Sequence, residues 1–101
     1  MINEYIRYRI PTDQVDAFLK AYEVAGTPLR ESAHCLGYEL SRCSEAPEDF
    51  ILRIHWDSAA GHLSGFRGSP QFRTFLHAVQ PFVPHIQEMR HYDLTPIKWA
   101  R

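Results

Sequence analysis

The stretch from Phe50 to Tyr92, FILRIHWDSAAGHLSGFRGSPQFRTFLHAVQPFVPHIQEMRHY, constrains the fold more than any other part of the chain. Phe50, Leu52, Ile54 and Trp56 alternate as one face of a strand. Asp57 or Ser58 then caps a short helix through about Phe66. Ser69-Pro70 opens a second helix, with proline at its favoured first position. Phe72, Phe75, Leu76 and Val79 recur at i, i+3, i+4 and i+7 as the buried stripe of that helix. Pro81 and Pro84 stop it, and Ile86–Leu94 reads as a closing strand. One segment thus predicts a β-α-β unit with aromatics and histidines gathered around the space it encloses.

The preceding half supplies the other elements. Over residues 2–10, Ile2, Ile6, Tyr8 and Ile10 fall on one face of a strand and Asn3, Tyr5, Arg7 and Arg9 on the other, with Pro11 closing it. Thr12 and Asp13 are N-cap candidates for a helix over about 13–26, whose stripe is Val15, Phe18, Leu19 and Tyr22. Gly26 and Pro28 are expected to end it. A strand at Leu36–Cys43, with Leu36, Tyr38 and Leu40 on one face, joins Phe50–Trp56 through a polar turn as an antiparallel hairpin. The order β-α-β-β-α-β predicts an α+β, ferredoxin-like subunit with a four-stranded antiparallel sheet. Residues 1–95 form that domain and 96–101 a loose tail. The helices cover one sheet face. The other carries Tyr5, Ile51 and Met89 among charges, so two sheets stacked across a two-fold axis, a homodimer, are expected.

Eleven basic residues against twelve acidic give a formal charge of -1, which argues against nucleic acid or a membrane surface as partner. Residues 1–10 lack the pattern of a signal peptide, and no apolar run approaches the roughly 20 residues of a bilayer span. Cys35 and Cys43 would lie about 26 Å apart along a continuous strand, too far to pair, so two free thiols and a cytoplasmic location are expected. The six histidines include no helical i, i+4 pair and no His-x-His, and no Cys-x-x-Cys occurs, so the spacing predicts no metal site. There is also no phosphate loop and no nucleophile elbow.

The strand Phe50-Ile-Leu-Arg-Ile-His-Trp56, followed by Asp57-Ser58 and a short helix reaching His62, resembles the antibiotic biosynthesis monooxygenase family. The helix start Ser69-Pro70-Gln71-Phe72 and the hairpin around Gly37-Tyr38-Glu39-Leu40 extend the likeness over about residues 1–95. The resemblance implies a dimeric α+β barrel and cofactor-independent oxygenation of a small aromatic, a quinol or polyketide anthrone, by dioxygen. In such chemistry the substrate supplies the electrons, and the protein supplies an apolar cavity, a base and donors for the anion. A haem-degrading branch of the superfamily uses an Asn, a Trp and a His. Here Phe66 and Leu76 match the Trp and His positions, and Asn3 is out of register, so that branch is not supported.

Within this frame His62 and Phe66, four residues apart, look inward together, with His62 as a general base and Phe66 as cavity wall; the plainer reading of His62 is a half-exposed surface histidine. Trp56 is either a core residue or an indole donor to a substrate oxygen. Tyr38 is the second orienting donor, and Tyr8, Phe72 and Arg67 are substrate-binding candidates. His55 lies on the opposite pleat from Trp56, and His91 is expected to share a pleat with Met89 and meet a partner subunit. The competing reading is a non-catalytic dimer that holds a hydrophobic ligand or haem or docks on a partner enzyme, with Trp99 in the tail as a docking residue.

Overall fold

The structure, a computed structural model, describes residues 1–101. Four strands, β1 (Ile2–Arg9), β2 (Cys35–Arg42), β3 (Asp49–Trp56) and β4 (Ile86–Asp93), form one antiparallel sheet in the order β2-β3-β1-β4. Helices α1 (Val15–Glu31) and α2 (Pro70–Val79) pack on one face. A π-helix (Gly61–Phe66) lies between β3 and α2, and 3-10 turns precede α1 and follow α2. The ferredoxin-like order expected from the sequence is the order observed.

β1 is hydrogen-bonded on both sides, to β3 and to β4, so its inward face lies at the middle of the core. Ile2, Ile6 and Tyr8 on that face are buried. Phe18 of α1, fully buried, is the centre of the packing: its ring lies 4.9 Å from Tyr8, 5.1 Å from Tyr22, 5.0 Å from Phe50 and 5.3 Å from Phe82. Tilted and edge-to-face contacts of this kind add to the area each ring buries.

Several local expectations are corrected. Helix α1 runs on to Glu31 with Pro28 inside it, because Ala25, Pro28 and Leu29 all bury against the sheet and that burial outweighs the lost backbone bond. Gly26 is a packing position rather than a stop: a Cβ there would collide with the Tyr38 hydroxyl. Leu19, expected in the stripe, is 37% exposed. In β2 the register shifts between Cys35 and Gly37, turning Cys35 inward and leaving Leu36 exposed. Leu76 sits at the edge of the α2 stripe, not beneath it.

A second irregularity decides the site. Tyr8 pairs with Ile86 but Ile6 pairs with Met89, so β4 carries one extra residue against β1. The bulge reverses the pleat beyond it. Met89 and His91 therefore lie opposite Ile6 and Glu4 on the helix side, and neither belongs to the outer face where the alternation had put it. Tyr92 instead meets Tyr5 across the outer face, ring to ring at 5.4 Å.

The contrast between neighbours in α1 is measurable. Phe18→Ala should lower the unfolding free energy by about 3–5 kcal/mol, and Leu19→Ala by less than about 1 kcal/mol, in urea titrations. Equal losses would refute this account of the core.

Candidate active site

β1 continues its alternation through Glu4, which puts a carboxylate on the apolar face; the residue is 3% exposed. No motif marks it in the sequence, where it interrupts the apolar alternation of β1. Across the sheet Glu4 pairs with Ile54 of β3 and His91 of β4. Trp56, at the end of β3, is fully buried and its indole N–H donates to Glu4 Oε1 at 3.1 Å.

His62 comes from the π-helix. Ser58 Oγ accepts from the Gly61 N–H at 2.8 Å at its start, as the capping residues predicted. The Arg67 N–H donates to the His62 carbonyl at 3.0 Å, the five-residue spacing of a π turn. That wider turn brings positions four apart closer into line, so His62 and Phe66 both point inward and both are buried. The expected inward pairing holds, and the surface reading of His62 does not. Gly61 and Gly65 leave room for the His34 ring, which reaches Asp57 at 3.0 Å and ties the loop before β2 to this segment.

The imidazole of His62 stacks on Trp56, with centroids 4.6 Å apart and planes 13° from parallel. Both of its nitrogens are engaged: Nε2 lies 3.3 Å from Glu4 Oε1, and Nδ1 lies 3.0 Å from His91 Nε2. His91 Nε2 is also 3.7 Å from Glu4 Oε2. Three residues from β1, the π-helix and β4 thus converge, although their sequence spacing signals nothing. His91 was expected against a partner; the β4 bulge turns it to this cluster instead.

Burial dominates the ionisation here. It raises the Glu4 carboxyl above its ordinary value, against the Trp56 hydrogen bond and the charges of His91 and Arg67. It also lowers His62 to about 4, with the charges of Arg67 and His91 acting in the same direction. At neutral pH His62 is therefore uncharged, and its 3.3 Å approach to Glu4 is not an ion pair.

Beside the cluster lies a cavity of about 170 Å³ between the sheet, the π-helix and α2. Glu4, Trp56, His62 and Arg67 stand at its polar end, and Phe66, Phe72 and Phe75 form an aromatic wall. Tyr8 also lines it, but its hydroxyl is committed to Tyr22 at 2.5 Å. The predicted wall and binding residues Phe66, Phe72, Tyr8 and Arg67 are therefore brought together. Tyr38 is not. Its side chain projects under α1, where Arg30 Nη1 donates to its hydroxyl at 2.5 Å, beside a different groove. Strand β2 is at the sheet edge, with β3 between it and β1, and that distance removes Tyr38 from the site. A wider groove of about 440 Å³ on the outer sheet face holds Tyr5, Ile51 and Tyr92 but none of the clustered groups.

The lowered His62 value has a consequence for stability. The unfolded chain takes up a proton near pH 6.5 that the folded chain refuses until about 4, so His62 destabilises the fold progressively as pH falls through that window. The raised Glu4 value acts in the opposite sense, so the comparison with a variant isolates His62. In chelator-treated protein, wild type should lose up to about 3 kcal/mol more than His62→Gln between pH 7 and 4. Parallel stability curves would contradict a buried neutral imidazole.

The family model for antibiotic biosynthesis monooxygenase matches residues 1–78. A Bacillus subtilis protein, uncharacterized protein YczJ, is 22% identical over 93 residues, covering 92% of this chain and 98% of its own length. A crystal structure from Bordetella bronchiseptica, assigned to the same family, superimposes with a TM-score of 0.74 at 21% identity, over 93% of this chain and 96% of that one. Another from Deinococcus radiodurans does so with 0.75 at 14% identity, over 100% and 99%. At such identities the structures speak for the fold alone. The sequence match covers most of the chain, and the protein belongs to the antibiotic biosynthesis monooxygenase family.

Proposed function

We propose that this protein is a cofactor-independent monooxygenase acting on a small phenolic or quinol-type aromatic in the cavity between the sheet and α2, with Glu4 as the base. The observation that supports this most is a buried carboxylate at one end of an otherwise apolar, aromatic-walled space. Burial makes that carboxylate a stronger base than an exposed one, the direction proton abstraction requires. His62 then serves as the group behind the base rather than the base itself, since neither of its nitrogens is free. The Trp56 N–H likewise holds Glu4 rather than substrate.

The chemistry is self-contained. Glu4 removes the phenolic proton, and an electron-rich ring carbon of the phenolate reduces dioxygen as a C–O bond forms. The resulting peroxide takes the proton back, then the same carbon loses its C–H proton and the O–O bond breaks with loss of hydroxide, as water, to leave a carbonyl. The sum is one phenol O–H and one ring C–H plus O2 giving two C=O groups plus H2O, with all electrons drawn from substrate. Arg67, at the polar end, offers its charge to the developing anion. A volume of about 170 Å³ lies below the roughly 300 Å³ of drug-sized pockets, so one or two fused rings fit better than a three-ring anthrone.

We also propose that the chain works as a homodimer. The outer sheet face exposes Ile51, Tyr92 and Leu94 beside Tyr5, an apolar strip that stacking with a second copy would bury.

Oxygen uptake should be detectable with one- or two-ring hydroquinones, fall about 10²–10⁴-fold in Glu4→Gln, and stay unchanged in Tyr38→Phe. Full activity in Glu4→Gln would exclude Glu4 as base. Saturable binding of these compounds without oxygen uptake would replace the enzyme by a ligand-binding protein. In light scattering the species should have twice the 11.8 kDa subunit mass, and Ile51→Glu should return it to one; a monomeric wild type would refute the dimer.

A further inference from the structure

Glu4, His62 and His91 present two imidazoles and one carboxylate, each from a different element, with one ligand atom apiece and all three atoms within 4.8 Å of one another. We propose that they form a binding site for a divalent transition-metal ion of the zinc, cobalt or nickel type. The site stands independently of the reaction proposed above.

The distances are close to what a cation needs. Ligands about 2.0–2.1 Å from a metal lie roughly 3.0–3.4 Å from each other in octahedral or tetrahedral arrangement. His62 Nδ1 and His91 Nε2 are 3.0 Å apart, and His91 Nε2 and Glu4 Oε2 are 3.7 Å apart. His91 lies on edge strand β4 with a third of its side chain exposed, so it is free to shorten its own 3.7 Å separation from Glu4. Glu4 and His62 are held in place from behind.

The outer contacts are those of a metal site. Glu4 Oε1 takes the Trp56 N–H and lies beside His62 Nε2, which leaves Oε2 facing His91. With Nε2 3.3 Å from Oε1, a His62 protonated at Nε2 would turn its Nδ1 lone pair toward His91, the tautomer a metal requires. A mixed nitrogen and oxygen set suits zinc, cobalt or nickel better than calcium or magnesium, which favour oxygen alone. Three protein ligands leave the remaining positions open on the exposed His91 side. Outside the three ligands, Arg67 is the neighbouring cation whose charge acts on both Glu4 and His62, and the Glu4 carboxylate opposes it. A bound ion would take up the carboxylate of Glu4, the proposed base itself, so zinc should inhibit any oxygen uptake.

Cobalt(II) chloride titrated into chelator-stripped protein, followed by visible absorption, tests the site. One equivalent per chain should bind, with d–d bands of nitrogen and oxygen ligation and no sulfur-to-cobalt charge transfer. Affinity should fall at least tenfold in His91→Ala and in Glu4→Gln, with circular dichroism confirming the fold, and stay unchanged in His77→Ala. Thiolate bands, equal binding by all variants, or no binding at millimolar cobalt would each overturn the site. Because the readout is spectroscopic, triad-dependent binding without turnover would uphold the metal site and count only against the oxygenase. Turnover without cobalt binding would do the reverse.

Discussion

The hydrogen bond from the Trp56 indole to Glu4 organises the functional half of this protein. A carboxylate on the inward face of a central strand is costly unless its oxygens are partnered. Here Oε1 receives the indole N–H, and the Trp56 ring in turn is a flat floor on which His62 stacks. Each of the three groups thus fixes another: the carboxylate orients the indole, the indole seats the imidazole, and the imidazole returns to the carboxylate. The cavity is what remains between this polar end and the phenylalanine wall.

That arrangement explains why the helical segment before α2 is wound as a π turn. An ordinary α turn would set His62 and Phe66 further out of line; the wider one directs both toward Trp56. Such turns are rare and are found frequently at functional sites. Gly61 and Gly65, without side chains, let His34 lie against the segment and secure it through Asp57. The aromatic packing around Phe18, by contrast, belongs to the α1 half of the core and meets the cavity through Tyr8.

Much of this was legible in the chain. The element order, the fold class, the caps at Ser58 and Ser69 and the inward direction of Phe66 all follow from period and capping chemistry, which act over a few residues, whereas the burial of His62 goes against its plainer surface reading. The losses have specific causes. Glu4 was passed over because one acidic residue in an alternating strand looks like an exception to its own pattern. Tyr38 has the right pleat but the wrong strand, since sequence order does not say that β2 is at the sheet edge. Leu19 and Leu76 lie at the margins of stripes whose centres were right.

The α+β architecture, the apolar faces and the aromatic character of the enclosed space depend on periodicity and on residues close together in the chain, and local sequence is enough for them. The chemistry of the site depends on strand pairing instead. One extra residue in β4 reverses the pleat and brings His91 to Glu4 and His62. A strand's facing is set by its pairing with a neighbour, and that pairing joins residues 78 to 91 positions apart. No local pattern along the chain encodes it.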